Sequence, residues 1–308
     1  MAFDSVIPDA FPNLYADQWR LGLQQLQSRL DSFVNTEVIN GEGKRFSKIA
    51  PTEARQITTR FGDTNPDDID LEFRWLYVNF KDSAHRVDRR EAMQLGSIGS
   101  PHASILRNQL AAAGRDRDKT LIDGIRGTVQ GGKTGATAIP FGTDQVIAVN
   151  FVHSGTPANS GMSFDKIVEI NRLFGVGNVM GQDNETQSAG TIVLSYNQIA
   201  DLLHEPKFTS ADYSEIRRLH QGHVINLMGL SIKAVDADLL PYNAGTDVRT
   251  CYAFARNSVV FGIAENPMSW VDELPTGKHD VQLRTEWGWG CTRLDEEGVI
   301  SIACDESP

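Results

Sequence analysis

The sequence predicts an α+β protein. Strand-like and helix-like runs are interspersed without a regular βαβ rhythm. One helical run is unusually long, and the C-terminal part is mostly strand-like. No internal repeat or low-complexity segment interrupts this pattern.

The elements follow in order. Residues 1 to 12 carry two prolines and read as extended. NLYADQWRLGLQQLQSRLDSFV (13–34) has helical spacing, because Trp19, Leu23, Leu26, Leu30 and Phe33 recur at steps of three or four and share one stripe. Asn13 suits its cap. NGEGKRFSK (40–48) then reads as a turn-rich break. EARQITTRF (53–61) and LEFRWLYVNF (71–80) read as two strands, with Leu71, Phe73, Trp75 and Tyr77 on one face of the second. Between them GDTNPDDID makes a long hairpin whose tip carries Asp63, Asp67, Asp68 and Asp70. Ser100 and Pro101 open a helix that runs to about Gly127, some 40 Å at 1.5 Å per residue. Leu106, Leu110, Leu121 and Ile125 are its expected buried face. RDRDK (115–119) reads as a solvated, mixed-charge patch.

Thr128 to Gly161 is rich in Gly, Thr and Pro, with one strand-like run, QVIAVNFV. SFDKIVEINRLFG is a helix capped by Ser163. TIVLS is a short strand and YNQIADLLHE a helix. SADYSEIRRLHQG is another capped helix, leading into the strand HVINLMGLSIKAV. TCYAFARNSVVFGIA, KHDVQLRTEWGWGCTRL and VISIACD are strands, the last two joined by the turn DEEG.

Composition narrows the function classes. The 308 residues can bury a sizeable core, and the apolar and charged fractions are those of globular proteins. The net charge of -11 disfavours a groove that grips nucleic acid, though not a container for it. The opening MAFDSVIPDAF lacks a basic region followed by an apolar run, and no stretch approaches a membrane span, so a cytoplasmic protein is expected. Cys251, Cys291 and Cys304 fit no zinc pattern and read as reduced, buried thiols. His220 and His223 are three apart without a carboxylate or Cys partner, so no metal site is expected. No nucleophile elbow is present. GTVQGGKT (127–134) satisfies the phosphate-loop pattern around Lys133. Its context is wrong: a helix precedes it, and GATAIPFG cannot begin the helix that a phosphate loop requires. No catalytic residue, cofactor or metal is therefore expected.

The order of the pieces resembles the major capsid proteins of tailed phages, which share the Hong Kong 97-type shell fold. The resemblance covers about Trp19 to Glu306. WRLGLQQLQSRL is similar to their N-terminal arm, RFGDTNPDDID to their hairpin tip, and LAAAGRDRDKTLIDGIRG to their spine helix. SFDKIVEINRLF, SYNQIADLLHEPKFTSADYSEIRRLHQGHVINLMGLSI and EWGWGCTRLDEEGVISIACDE resemble one branch of these proteins.

The resemblance implies an arm over 1–45 and an extended hairpin over 46–96. It implies a peripheral domain with the spine helix over 97–140 and 260–308, and an axial domain over 141–259. It implies self-assembly into hexamers and pentamers of an icosahedral shell enclosing double-stranded DNA, built in the host cytoplasm. Portal, a separate scaffolding protein and a decoration protein are the further partners. A membrane is not. Subunit contacts fall on the stripe Trp19, Leu23, Leu26, Leu30 and Phe33, and on the acidic tip. Arg115, Arg117 and Lys119 of a neighbour are the expected receptors for that tip. The alternatives are a nanocompartment shell of the same fold and a phosphate-loop nucleotide-binding protein.

Overall fold

The computed structural model describes residues 24–50, 52, 54, 56, 68–87, 102–179, 190–205, 226–275 and 279–307. The expected helix over 210–222, the strand-like run 53–61 and the capping residues Ser100 and Pro101 fall largely or wholly outside them. The chain divides into two compact units. The first holds residues 1–27, 80–115 and 265–287; the second holds 28–79, 116–264 and 288–308.

Three helices and fifteen strands are described, besides short 3-10 turns. The strands are β1 (Asn35–Val38), β2 (Gly43–Ile49), β3 (Leu71–Tyr77), β4 (Asn79–Val87), β5 (Val129–Gly131), β6 (Thr137–Ile139), β7 (Val146–Ile147) and β8 (Gly190–Leu194). They continue with β9 (Asn226–Leu227), β10 (Leu230–Ala234), β11 (Tyr242–Asn243), β12 (Val248–Ala255), β13 (Val259–Leu274), β14 (Asp280–Arg293) and β15 (Val299–Asp305). The helices are α1 (His102–Arg126), α2 (Phe164–Val176) and α3 (Tyr196–His204).

In the first unit the outer part of β13, most of β14, and β4 lie in that order. The first half of α1 turns Gln109, Ala111 and Ala113 inward, while Leu110, expected on the buried face, is 45% exposed. Gln109 is fully buried and fully used. Its Nε2 donates to Leu283 O at 3.0 Å and faces His85 Nδ1 at 3.0 Å, and its Oε1 accepts from Thr285 at 2.8 Å. A buried amide with every group paired fixes helix register where apolar contacts alone would not.

The second unit holds a seven-stranded sheet in the order β7-β15-β12-β8-β10-β9, with β11 on β12. Its centre, β8, is buried at every residue, as a strand covered on both faces must be. Helix α2 buries Ile167, Ile170 and Phe174 at helical spacing, and Ser163 caps it through Lys166 N. Helix α3 opens with a capping box between Ser195 and Gln198. A separate antiparallel sheet runs β2-β3-β5-β6. β1 pairs in parallel with Val260–Ile263 of β13.

Several sequence expectations change. Residues 43–49, expected as a turn, form strand β2 and pair with β3 from Gly43↔Tyr77 to Ile49↔Leu71. Phe46 drives this by packing on the cluster of Ile39, Leu76 and Val260. The buried residue of β3 is thus Leu76, while the face of Leu71 and Tyr77 stays exposed.

The described part of the expected helix over 13–34 is not α-helical, and only Asp31–Phe33 makes a 3-10 turn. The amides of Arg29 and Leu30, which a helix would donate to carbonyls four residues back, donate instead to the Asp118 carboxylate. HVINLMGLSIKAV is not one strand. β9 and β10 form a tight antiparallel hairpin around Met228 and Gly229, both at positive φ. QVIAVNFV yields only the two-residue β7. Finally, the turn at 295–298 does not close a hairpin with β14. It passes the chain to another sheet, where β15 pairs with β12 along seven residues. The last strand therefore sits with the strands of 141–259, rather than with 260–293 as expected.

Candidate assembly interface

The phosphate-loop match at 127–134 has the wrong shape for phosphate. It contributes β5 and the start of a turn, with Gly132 and then Gly135 at positive φ, that leads back into β6, where Thr137 stands opposite Gly131. The carbonyl of Gly132 accepts from Trp75 Nε1 at 2.9 Å. Lys133 is exposed on this hairpin. The amides are thus spread along a ladder rather than converged at a helix N-terminus.

β2 and β3 form a seven-residue antiparallel pair, from Gly43↔Tyr77 to Ile49↔Leu71. At its root Trp75 and Tyr77 stack with centroids 6.1 Å apart, and Arg45 lies 4.7 Å over the Phe73 ring. Lys48 pairs with Asp295 and Lys44 with Glu37. The ladder is continued by Ala50 N donating to Asp70 O at 3.1 Å. At the outer end Ile49, Ile69 and Leu71 are 63%, 64% and 50% exposed. Exposed apolar side chains gathered at one end of a strand pair are a candidate interaction surface. The alternation over 71–77 is the sequence signal for Leu71, whereas Ile49 has none, because it follows a run, 40–48, that reads as a turn. Asp68 and Asp70 are exposed beside this cluster, while Asp63 and Asp67 lie outside the described residues.

The arm stripe divides. Trp19 and Leu23 lie outside the described residues, Leu26 is exposed, and Leu30 is completely buried in its own subunit. Phe33 is half-buried with Lys233 Nζ 4.5 Å over its ring. The segment around Arg29 is fastened further, since Arg29 Nη1 donates to Ala234 O at 3.2 Å.

The charged run 115–119 is not a solvated face. Asp118 has no exposure and accepts from Ser28 Oγ at 2.5 Å and from Arg29 N at 3.0 Å. Asp116 accepts from Trp289 Nε1 at 3.0 Å. Arg117 pairs with Asp31 and lies 4.9 Å over Phe261. In the first unit, Arg115 donates to Gln24 Oε1 at 2.6 Å and to Gln25 O at 3.2 Å. Of the three expected receptors, only Lys119 is exposed.

Two further polar sites hold the second unit. Arg293 is fully buried and donates to Ile125 O and Gly127 O, satisfying carbonyls at the C-terminus of α1 with a cation where the helix dipole favours one. Arg249 binds Glu306 at 2.6 Å, and Gln198 Nε2 reaches the same oxygen at 2.6 Å. Burial alone would raise the Glu306 carboxyl, but these hydrogen bonds outweigh it and hold it below its ordinary range. Among the described residues no group of three or more His, Cys, Asp or Glu gathers for a metal, and no helix is long and apolar enough to cross a membrane.

Residues 7–306 match the family described as phage capsid protein. The chain belongs to that family. The fold of this capsid protein agrees with solved phage structures over its full length. A chain of Mycobacterium phage Che8 superposes with a TM-score of 0.66 at 19% identity, covering 98% of each chain. The capsid asymmetric unit of cyanophage Pam1 gives 0.66 at 12% identity over 99% of each. The capsid of Ralstonia phage GP4 gives 0.65 at 11%, over 100% of this chain and 99% of that one. No curated protein sequence matches. At such identities the likeness establishes the fold, and the family match establishes the kind of protein.

Proposed function

We propose that this chain is the shell-building major capsid subunit of a tailed phage, assembling as hexamers and pentamers around double-stranded DNA. The observation that carries the reading is the family match over residues 7–306 together with the exposed apolar end of the β2–β3 pair. One sequence must occupy several slightly different environments in a closed shell. A long hairpin with exposed Ile49, Ile69 and Leu71 can reach a neighbour while the subunit core stays unchanged. Many weak contacts of this kind add through multivalency.

Within this reading the acidic tip, including Asp68 and Asp70, docks on an adjacent subunit. Lys119 is a better receptor than Arg115 or Arg117, whose guanidinium groups already serve their own subunit. Portal, scaffolding and decoration proteins are the further partners, and assembly takes place in the host cytoplasm. The test is sedimentation velocity of the purified protein over a hundredfold concentration range, alone and with the scaffolding protein. The expected result is a jump from a slow species to one very large particle. A single slow species under all conditions would overturn the reading.

A further inference from the structure

The core of the second unit contains a group of sulfur atoms that shell building does not use. Cys251 on β12 and Cys304 on β15 are completely buried, and Met162 is 2% exposed. β12 and β15 are antiparallel neighbours with Cys304 opposite Arg249 and Cys251 opposite Ile302. Residues two apart on a strand share a face, so both thiols leave the sheet on the same side. The Cys304 Sγ lies 4.0 Å from the Met162 Sδ, and the strand register sets Cys251 diagonally across from Cys304 on that same face. Three sulfurs are thus gathered around Cys304.

A buried ammonium stands beside them. Lys166 has no exposure, and its Nζ donates to Ser160 O at 2.8 Å, Gly161 O at 2.8 Å and Ala303 O at 2.9 Å. Ala303 directly precedes Cys304 on β15, so this side chain sits beside that thiol's backbone, and burial lowers its pKa from the ordinary lysine value.

We infer that Cys251, Cys304 and Met162 form a buried site for a thiophilic monovalent cation of the copper(I) or silver(I) class. Soft thiolate and thioether ligands select such ions over harder ones. With metal–sulfur bonds of about 2.3 Å, the sulfurs of a trigonal site stand about 4 Å apart, which is the Cys304–Met162 spacing already present. The charge also balances. One monovalent cation displaces two thiol protons and leaves a centre of net charge −1, which the Lys166 ammonium neutralises without water. No electron is transferred. The bound ion would tie the C-terminal strand to β12 and to the turn before α2, so its effect is to stiffen the subunit. Entry requires local opening of the sheet end, and binding is slow for that reason.

The test is anaerobic titration of the unassembled subunit with silver(I), and separately with copper(I) held by a weak competitor. The readouts are stoichiometry, near-ultraviolet thiolate-to-metal absorption and the melting temperature. One ion per chain should bind, with the absorption band and a raised melting temperature. Cys251→Ser and Cys304→Ser should each lose the band, and Met162→Leu should weaken binding at least tenfold while remaining folded. Cys291→Ser should bind as the wild type does. Binding that persists in Cys251→Ser, or a melting temperature that falls as metal is added, would overturn the inference. The first means that the thiols act singly, and the second that metal captures only the unfolded chain.

Discussion

Replacing Asp118 with Ala removes the acceptor that holds the start of the described chain to α1. The carboxylate is without exposure and takes the Ser28 hydroxyl and the amides of Arg29 and Leu30. A hydrogen bond to a charged group contributes roughly 1.5–3 kcal/mol, and a donor left buried without a partner costs a similar amount. The three bonds share one acceptor and cannot be summed, so a total of about 3–5 kcal/mol is the reasonable scale. Asp118→Asn keeps one acceptor oxygen and should cost about half as much. Urea unfolding of unassembled subunits, followed by tryptophan fluorescence, measures both variants. For a chain of this size the Ala variant should melt lower by about 5–8 °C. In a double-mutant cycle with Ser28→Ala the coupling should exceed about 0.5 kcal/mol. An Ala variant as stable as the wild type would refute the claim that this carboxylate, rather than apolar contact alone, fastens the segment.

Three other outcomes follow from the same structure. A Cβ at Gly124 would stand 2.8 Å from Cys291 O, so Gly124→Ala should destabilise the subunit by roughly 1–3 kcal/mol, read by the same unfolding assay. Glu306 has a lowered folded pKa, so its contribution is present above its ordinary value of 4.5 and is lost as pH falls through the lower folded value. Glu306→Gln should therefore flatten the acid limb of stability against pH. A limb unchanged by that substitution assigns the acid loss elsewhere, and Asp201, which burial raises, acts in the opposite sense. Lys133→Ala should fold and assemble as the wild type does, with no ATP hydrolysis in either. Saturable hydrolysis lost in the variant would show that the hairpin binds nucleotide after all.

Local chemistry made much of the fold readable. Ser163 announces α2, because a hydroxyl before an amphipathic run satisfies amides that the helix leaves open. The body of α1 followed from its length and composition, and Pro140 with its neighbouring glycines ruled out a helix after Lys133. What the sequence hid depends on partners far along the chain. GKRFSKI has few strand formers and pairs only because β3 lies beside it. Lys166 occupies a core position of α2, and one of its three carbonyl partners comes from Ala303. Asp118 read as solvated because charge runs usually are, and its partners lie nearly ninety residues earlier. The described part of the helical stripe, 24–33, misleads for the same reason: Asp118 competes for amides that spacing assigns to a helix.

The central claim is that copies of this chain build a closed shell, with the β2–β3 hairpin reaching between neighbours. Electron microscopy of the purified protein, beside a variant in which residues 50–70 are replaced by a short Gly-rich turn, tests it most directly. The wild type should give closed shells or five- and six-membered rings. The variant, with β2, β3 and the core of each unit intact, should remain as dispersed, folded subunits. A wild type that stays a uniform small monomer, or a variant that closes shells as readily, would contradict the account.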